Sequence, residues 1–128
     1  MRILLADDQP RVCSALRLLL EQEPGLTVVG EAAESDALLA QVAALHPDLV
    51  LLDWELPDAN GAGPVRPDDP GSGAHLFALL RRRCPDLRVV ALSGRHEARR
   101  AAQEAGVDAF VSKGDPPERL LETLRALG

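Results

Sequence analysis

Aromatic side chains are scarce: one Trp, two Phe and no Tyr in 128 residues. Any core is therefore aliphatic, and an apolar share of 46% is enough to fill one. Only two cysteines occur, Cys13 and Cys84. They lie far apart, with no second Cys or His at metal-ligand spacing, so they read as ordinary buried thiols. His46, His75 and His96 are equally scattered, which speaks against a zinc site. No apolar run approaches membrane length. Asp7 and Asp8 interrupt the N-terminus before a signal-peptide pattern can form, so a cytoplasmic chain without a membrane partner is expected. Basic charge is also short, 14 residues against 20 acidic ones for a net charge of −6. A domain of that sign does not bind DNA through its overall field.

What is present is an alternation of two periodicities. Apolar runs at 2–6, 26–30, 48–53, 87–92 and 108–112 read as five strands. Between and after them, residues 9–23, 35–46, 73–84, 95–105 and a last segment carry apolar positions at helical spacing, punctuated by Pro24-Gly25, Pro47, Pro85 and Gly106. Asp115, Pro116 and Glu118 predict a capping box at the start of the last helix, with Leu120, Leu121, Leu124 and Leu127 as its buried stripe. Short strands apolar on both faces, alternating with helices, predict an α/β domain over 1–128 with a parallel sheet covered on both sides. One stretch breaks the alternation. Trp54 to Ser72 holds Pro57, Pro64, Pro67 and Pro70 and several glycines, a longer connection than the roughly 2–6 residues usual between strand and helix.

Open parallel sheets place their sites outside the carboxyl ends of the strands. After the first strand stand Asp7 and Asp8, after the third Asp53, after the fourth Ser93-Gly94, after the fifth Ser112-Lys113. Singly these are weak signals: an Asp pair reads as a helix cap, Asp53 and Ser93-Gly94 as turns. Together they converge three carboxylates, a hydroxyl and an ammonium on one edge. Crowded carboxylates raise one another's pKa, and a hard dication such as Mg²⁺ relieves that cost. A carboxylate beside such an ion is a usable nucleophile toward phosphorus, with Lys113 and the Ser93 hydroxyl as fixed donors for the transferring charge. Lys113 is the single lysine among fourteen basic residues. Its place suits a compact point charge rather than the broad guanidinium used elsewhere.

On these residues the chain resembles the response-regulator receiver family over nearly its whole length. L-L-A-D-D-Q is similar to the family's acidic pocket, and L-V-L-L-D-W-E-L-P-D-x-x-G to its phosphoacceptor segment. A-L-S-G resembles the segment of the switch hydroxyl, and D-A-F-V-S-K-G-D the lysine segment. The S-K-G-D ending resembles regulators with a helix-turn-helix output domain. The resemblance implies a flavodoxin-like (βα)5 fold with strand order 2-1-3-4-5. It implies a phosphoacceptor rather than an enzyme, with self-catalysed phosphorylation and dephosphorylation. Asp53 would take the phosphoryl group from a histidine kinase or phosphotransfer protein. Asp8 and Asp53 would ligate Mg²⁺ with the Glu55 backbone carbonyl, and Asp7 would act through water. Ser93 and Phe110 would move as switch residues and Lys113 would pair with the phosphoryl oxygens. The face of the fourth helix, fifth strand and fifth helix would then bind a partner or a second copy. DNA would be reached only through an output domain outside this chain, with transcription as the regulated process.

Two departures stand out: the long connection at about 54–72, expected to alter donor access or phosphate lifetime, and Leu56 in place of the usual methionine. Glu55 and Arg95 occupy positions that border the route of attacking water in the family. The main alternative is a phosphorylation-independent receiver-like interaction module. A phosphohydrolase with a strand-end Asp nucleophile would carry a second Asp where Glu55 stands. A flavin-binding module would need a hydroxyl- and glycine-rich loop where A-D-D-Q-P stands. The arginines at 81–83 and at 95, 99 and 100 read as solvated helix faces.

Overall fold

The computed structural model describes residues 1–57 and 72–128. Among them, strands β1 (Arg2–Ala6), β2 (Thr27–Ala32), β3 (Leu49–Asp53), β4 (Arg88–Ser93) and β5 (Ala109–Ser112) alternate with helices α1 (Pro10–Glu21), α2 (Ser35–Leu45), α3 (Ser72–Arg83), α4 (His96–Ala105) and α5 (Pro117–Leu127). All pairings are parallel and the strand order is 2-1-3-4-5, the flavodoxin-like arrangement expected. The connection expected over about 54–72 begins after Asp53, and its residues 58–71 lie outside the described ones.

The sheet is buried on both faces because alternate strand residues point to opposite sides. Ile3, Leu5, Leu49, Leu51, Val90 and Leu92 face α1 and α5, meeting Leu20, Leu120 and Leu124. Leu4, Ala6, Val50, Leu52, Val89 and Ala91 face α2, α3 and α4, meeting Leu38, Val42, Leu76, Phe77, Leu80 and Ala102. Fully burying one such Leu side chain contributes about 2 kcal/mol. Two layers, one wholly aliphatic and one that also buries Trp54 and Phe77, therefore fix the register of β1 and β3, and with it the position of whatever follows each strand.

Two local expectations are corrected. Strand β2 runs on to Ala32, because Gly30, Glu31 and Ala32 pair with Leu4, Leu5 and Ala6 after an irregularity at Ile3/Leu4. A Cβ at residue 30 would press on the ends of the Gln41, Leu4 and Leu45 side chains, which would have to shift to admit it. The last helix has no capping box. Its N-cap is Pro116 and Pro117 opens the first turn. The Asp115 carboxylate turns back instead and accepts the Ser112 N–H at 3.2 Å.

Candidate functional site

Each strand end that carries a polar residue is extended by one hydrogen bond beyond the strand. Asp7 N–H donates to the Ala32 carbonyl at 3.0 Å, Trp54 N–H to Leu92 at 2.8 Å and Lys113 N–H to Ser93 at 2.9 Å. These bonds carry the sheet ladders one residue further and so fix the backbone at Asp7, beside Asp53 and at Lys113. The chain then turns sharply after β3, where Leu56 N–H returns to the Asp53 carbonyl at 3.1 Å.

The side chains meet as the sequence predicts for four of the residues. Lys113 Nζ lies 2.8 Å from Asp7 Oδ2 and 3.4 Å from Asp53 Oδ2. Asp7 and Asp53 are each only 3% exposed, whereas Asp8 is open to solvent. One carboxylate oxygen from each of Asp7, Asp8 and Asp53 lies within 4.8 Å of the others. The second oxygens are engaged by backbone: Asp7 Oδ1 accepts the Gln9 N–H at 2.8 Å and Asp53 Oδ1 the Glu55 N–H at 3.0 Å. Neither Asp7 nor Asp8 caps α1, whose N-cap is Gln9 without a side-chain bond.

Burial pushes the Asp53 carboxyl up to about 6 from 3.8, with the charges of Asp7 and Glu55 adding to the rise. The Glu55 N–H and Lys113 offset part of it. Burial alone would lower the Lys113 ammonium, but its bond to Asp7 and the Asp53 charge outweigh that and raise it. One cation thus serves two buried carboxylates, and a third carboxylate stands open beside them. An all-oxygen donor set with one open side and unrelieved negative charge fits a hard dication such as Mg²⁺.

Ser93 and Phe110 sit nearby in the sheet but are held differently. The buried Ser93 hydroxyl donates to Glu55 Oε1 at 2.5 Å and accepts the Arg95 N–H at 3.0 Å. Phe110 pairs in register with Ala91 on β4 and is half-buried, with the Arg99 guanidinium 5.0 Å above its ring. The Glu55 side chain is the polar group that sequence reasoning missed, having been considered for its carbonyl and its place on a water route. The one available signal was the two-residue spacing Asp53-x-Glu55 just before a turn.

Three other expectations resolve here. Cys13 is a buried thiol donating to the Asp7 carbonyl at 3.4 Å, with its pKa pushed up to about 11, chiefly by burial. Cys84 is only half-buried. Arg81, expected on a solvated face, is only partly so: it donates to the carbonyls of Pro85 and Leu87, pairs with Asp108 at 3.1 Å and lies over the Phe77 ring.

Residues 3–125 match the family described as the response regulator receiver domain. The chain is 32% identical over 124 residues to the nitrate/nitrite response regulator protein NarL of Escherichia coli K12, covering 95% of this chain and 52% of that protein. It is 33% identical over 130 residues to the DNA-binding transcriptional activator DevR/DosR of Mycobacterium tuberculosis, covering 100% of this chain and 54% of that protein. The chain thus spans about half the length of these relatives. Among solved structures, it superposes on RcsB of Salmonella typhimurium with a TM-score of 0.85 at 28% identity. That match covers 99% of this chain and 60% of the other. A shorter match, to a protein with methylesterase activity from Cereibacter sphaeroides, covers 47% of this chain and 16% of that protein. No helix among the described residues is long and apolar enough to cross a membrane. With the fold, the strand-end aspartates and these matches in agreement, the chain belongs to the response regulator receiver domains of two-component systems and is related to transcriptional regulators.

Proposed function

We propose that this receiver accepts a phosphoryl group on Asp53 from a histidine kinase or phosphotransfer protein, in the cytoplasm. It then controls an output domain or partner through the face formed by α4, β5 and α5. The observation that carries the reading is the Lys113 ammonium shared between two buried carboxylates, Asp7 and Asp53, with Asp8 open beside them.

In the transfer, a carboxylate oxygen of Asp53 attacks phosphorus as the donor's P–N bond breaks, and the imidazole departs with that electron pair. Hydrolysis reverses the attachment: water attacks phosphorus, the acyl P–O bond breaks, and Asp53 is regenerated with inorganic phosphate. Receiver domains bind Mg²⁺ at an acidic pocket. Here Asp8 and Asp53 would hold the ion directly, Asp7 through water, and Glu55 through its backbone carbonyl. When bound, the dication neutralises charge on the reacting oxygens. Lys113, already 3.4 Å from Asp53 Oδ2, pairs with the phosphoryl oxygens. Ser93 donates its hydroxyl to the new group, and Phe110, in register beside β4, follows the change. The likeness to transcriptional activators supports an output that acts on DNA through a domain other than this one. The domain is a phosphoacceptor whose own residues promote attachment and loss of the phosphate.

The test is intact mass after incubation with acetyl phosphate, with and without Mg²⁺, for the wild type and Asp53→Asn. A gain of one phosphoryl group that needs Mg²⁺ and is absent in the variant is expected. Mg²⁺ binding with no gain in the wild type would overturn the reading in favour of a receiver that signals by binding alone.

A further inference from the structure

We propose that the Glu55 side chain is a latch that holds the Ser93 hydroxyl away from Asp53 and so sets how readily this domain switches. The inference rests on the phosphoacceptor reading above. The turn closed between Leu56 and Asp53 carries Glu55 across the end of β4, where its Oε1 accepts the Ser93 hydroxyl at 2.5 Å. A hydroxyl has one proton to donate, and that of Ser93 is committed. While it is bonded to Glu55 it cannot donate to a phosphoryl oxygen on Asp53. The Ser93 oxygen is itself fixed by the Arg95 N–H at 3.0 Å, so the hydroxyl is held from both sides.

The strength of the latch follows from its charge and its surroundings. A short bond from a hydroxyl to an ionised carboxylate is about twice as strong as a neutral one. The other Glu55 oxygen, Oε2, is buried and has no hydrogen-bond partner among the described residues. A buried oxygen without a partner is costly, so the stabilisation of this carboxylate in place comes from Ser93. That makes the arrangement firm yet releasable. The Glu55 backbone N–H already contacts Asp53 Oδ1 at 3.0 Å, so its carboxylate belongs to the same turn as the acceptor. A phosphoryl group arriving on Asp53 adds a charge of about −1.5 to −2, which repels the Glu55 carboxylate and offers Ser93 a stronger acceptor. Ser93 then exchanges acceptors and Glu55 moves toward solvent. Before that charge arrives, the same bond disfavours the switched state.

The experiment is calorimetric titration with beryllofluoride, a phosphoryl mimic, in saturating Mg²⁺, across a double-mutant cycle. Glu55→Ala in the presence of Ser93 is expected to tighten binding roughly tenfold, the scale of one charge-assisted hydrogen bond that no longer competes. Glu55→Gln, which keeps the shape and a neutral acceptor, should give a smaller gain. With Ser93→Ala in the background, most of both gains should vanish. Equal gains with and without Ser93 would overturn the latch, because Glu55 would then act only by its charge. Asp53→Asn separates the two readings. If wild type and Asp53→Asn bind the mimic alike, the phosphoacceptor reading fails and the latch fails with it.

Discussion

Strand β3 is bounded by aspartates at both ends, Asp48 before it and Asp53 at its close, and the two have opposite fates. Asp48 is exposed and satisfied: its Oδ2 accepts the Arg2 N–H at 2.7 Å across the β1–β3 pair. Asp108, just before β5, behaves the same way, with Oδ2 accepting the Val89 N–H at 2.7 Å and pairing with Arg81. Asp53 is buried, crowded by Asp7, and has its pKa raised. In this sheet the strand-start aspartates accept backbone N–H groups of the neighbouring strand and close the edge. Its strand-end aspartates gather with one another instead. The first kind stabilises the fold, and the second stores unrelieved charge that a ligand can relieve.

The contrast is broken hardest at Lys113. Lys113→Ala leaves Asp7 and Asp53 buried without their shared cation, so it should destabilise by about 3 kcal/mol at neutral pH without divalent ions. Added Mg²⁺ should restore part of the loss in a urea melt. An unchanged midpoint would mean the pair carries no net charge in the native state.

Asp53→Asn should act in the opposite direction. A carboxyl raised from 3.8 to about 6 stabilises the fold fully below pH 3.8 and loses that contribution as pH rises through 6. At pH 7.5 without Mg²⁺ the variant should therefore be more stable by about 2 kcal/mol. The gap should shrink as pH falls through 6 and close near pH 4. A gap that persists at pH 4 would contradict the assignment of its cause to the Asp53 charge.

The strand-start aspartates should show the reverse pattern, with stability lost and chemistry spared. Asp108→Ala leaves the buried Val89 N–H without its acceptor and removes the Arg81 pair, a cost of about 1.5 kcal/mol. Asp48→Ala, at an exposed site, should cost about 0.5–1 kcal/mol. Acetyl phosphate should label both variants at the wild-type rate by intact mass. Slower labelling in either would show that the two edges are not independent.

How far the residues themselves foretold this depends on the range of the forces involved. The run Leu49–Asp53 is apolar at four successive positions, which marks a strand buried on both faces and so fixes where Asp53 must lie. The single lysine and the strand-end acids were legible for the same reason: strand ends in a parallel sheet share one edge. Asp115 was misread because a carboxylate in a turn can serve either the helix after it or the strand before it, and it served the strand. The end of β2 was misplaced because Gly30-Glu31-Ala32 has little strand propensity and is kept extended by pairing with β1. The Glu55–Ser93 bond spans thirty-eight residues and depends on the turn after β3, so the spacing Asp53-x-Glu55 hints at Glu55 but nothing local names Ser93 as its partner.

The phosphoacceptor role of this receiver turns on which aspartate carries the phosphate. After acetyl phosphate and Mg²⁺, borohydride reduction converts an acyl phosphate to homoserine, which peptide mass spectrometry locates. The prediction is homoserine at residue 53, with Asp48 and Asp108 unchanged. Homoserine at either strand-start position, with residue 53 still aspartate, would contradict it.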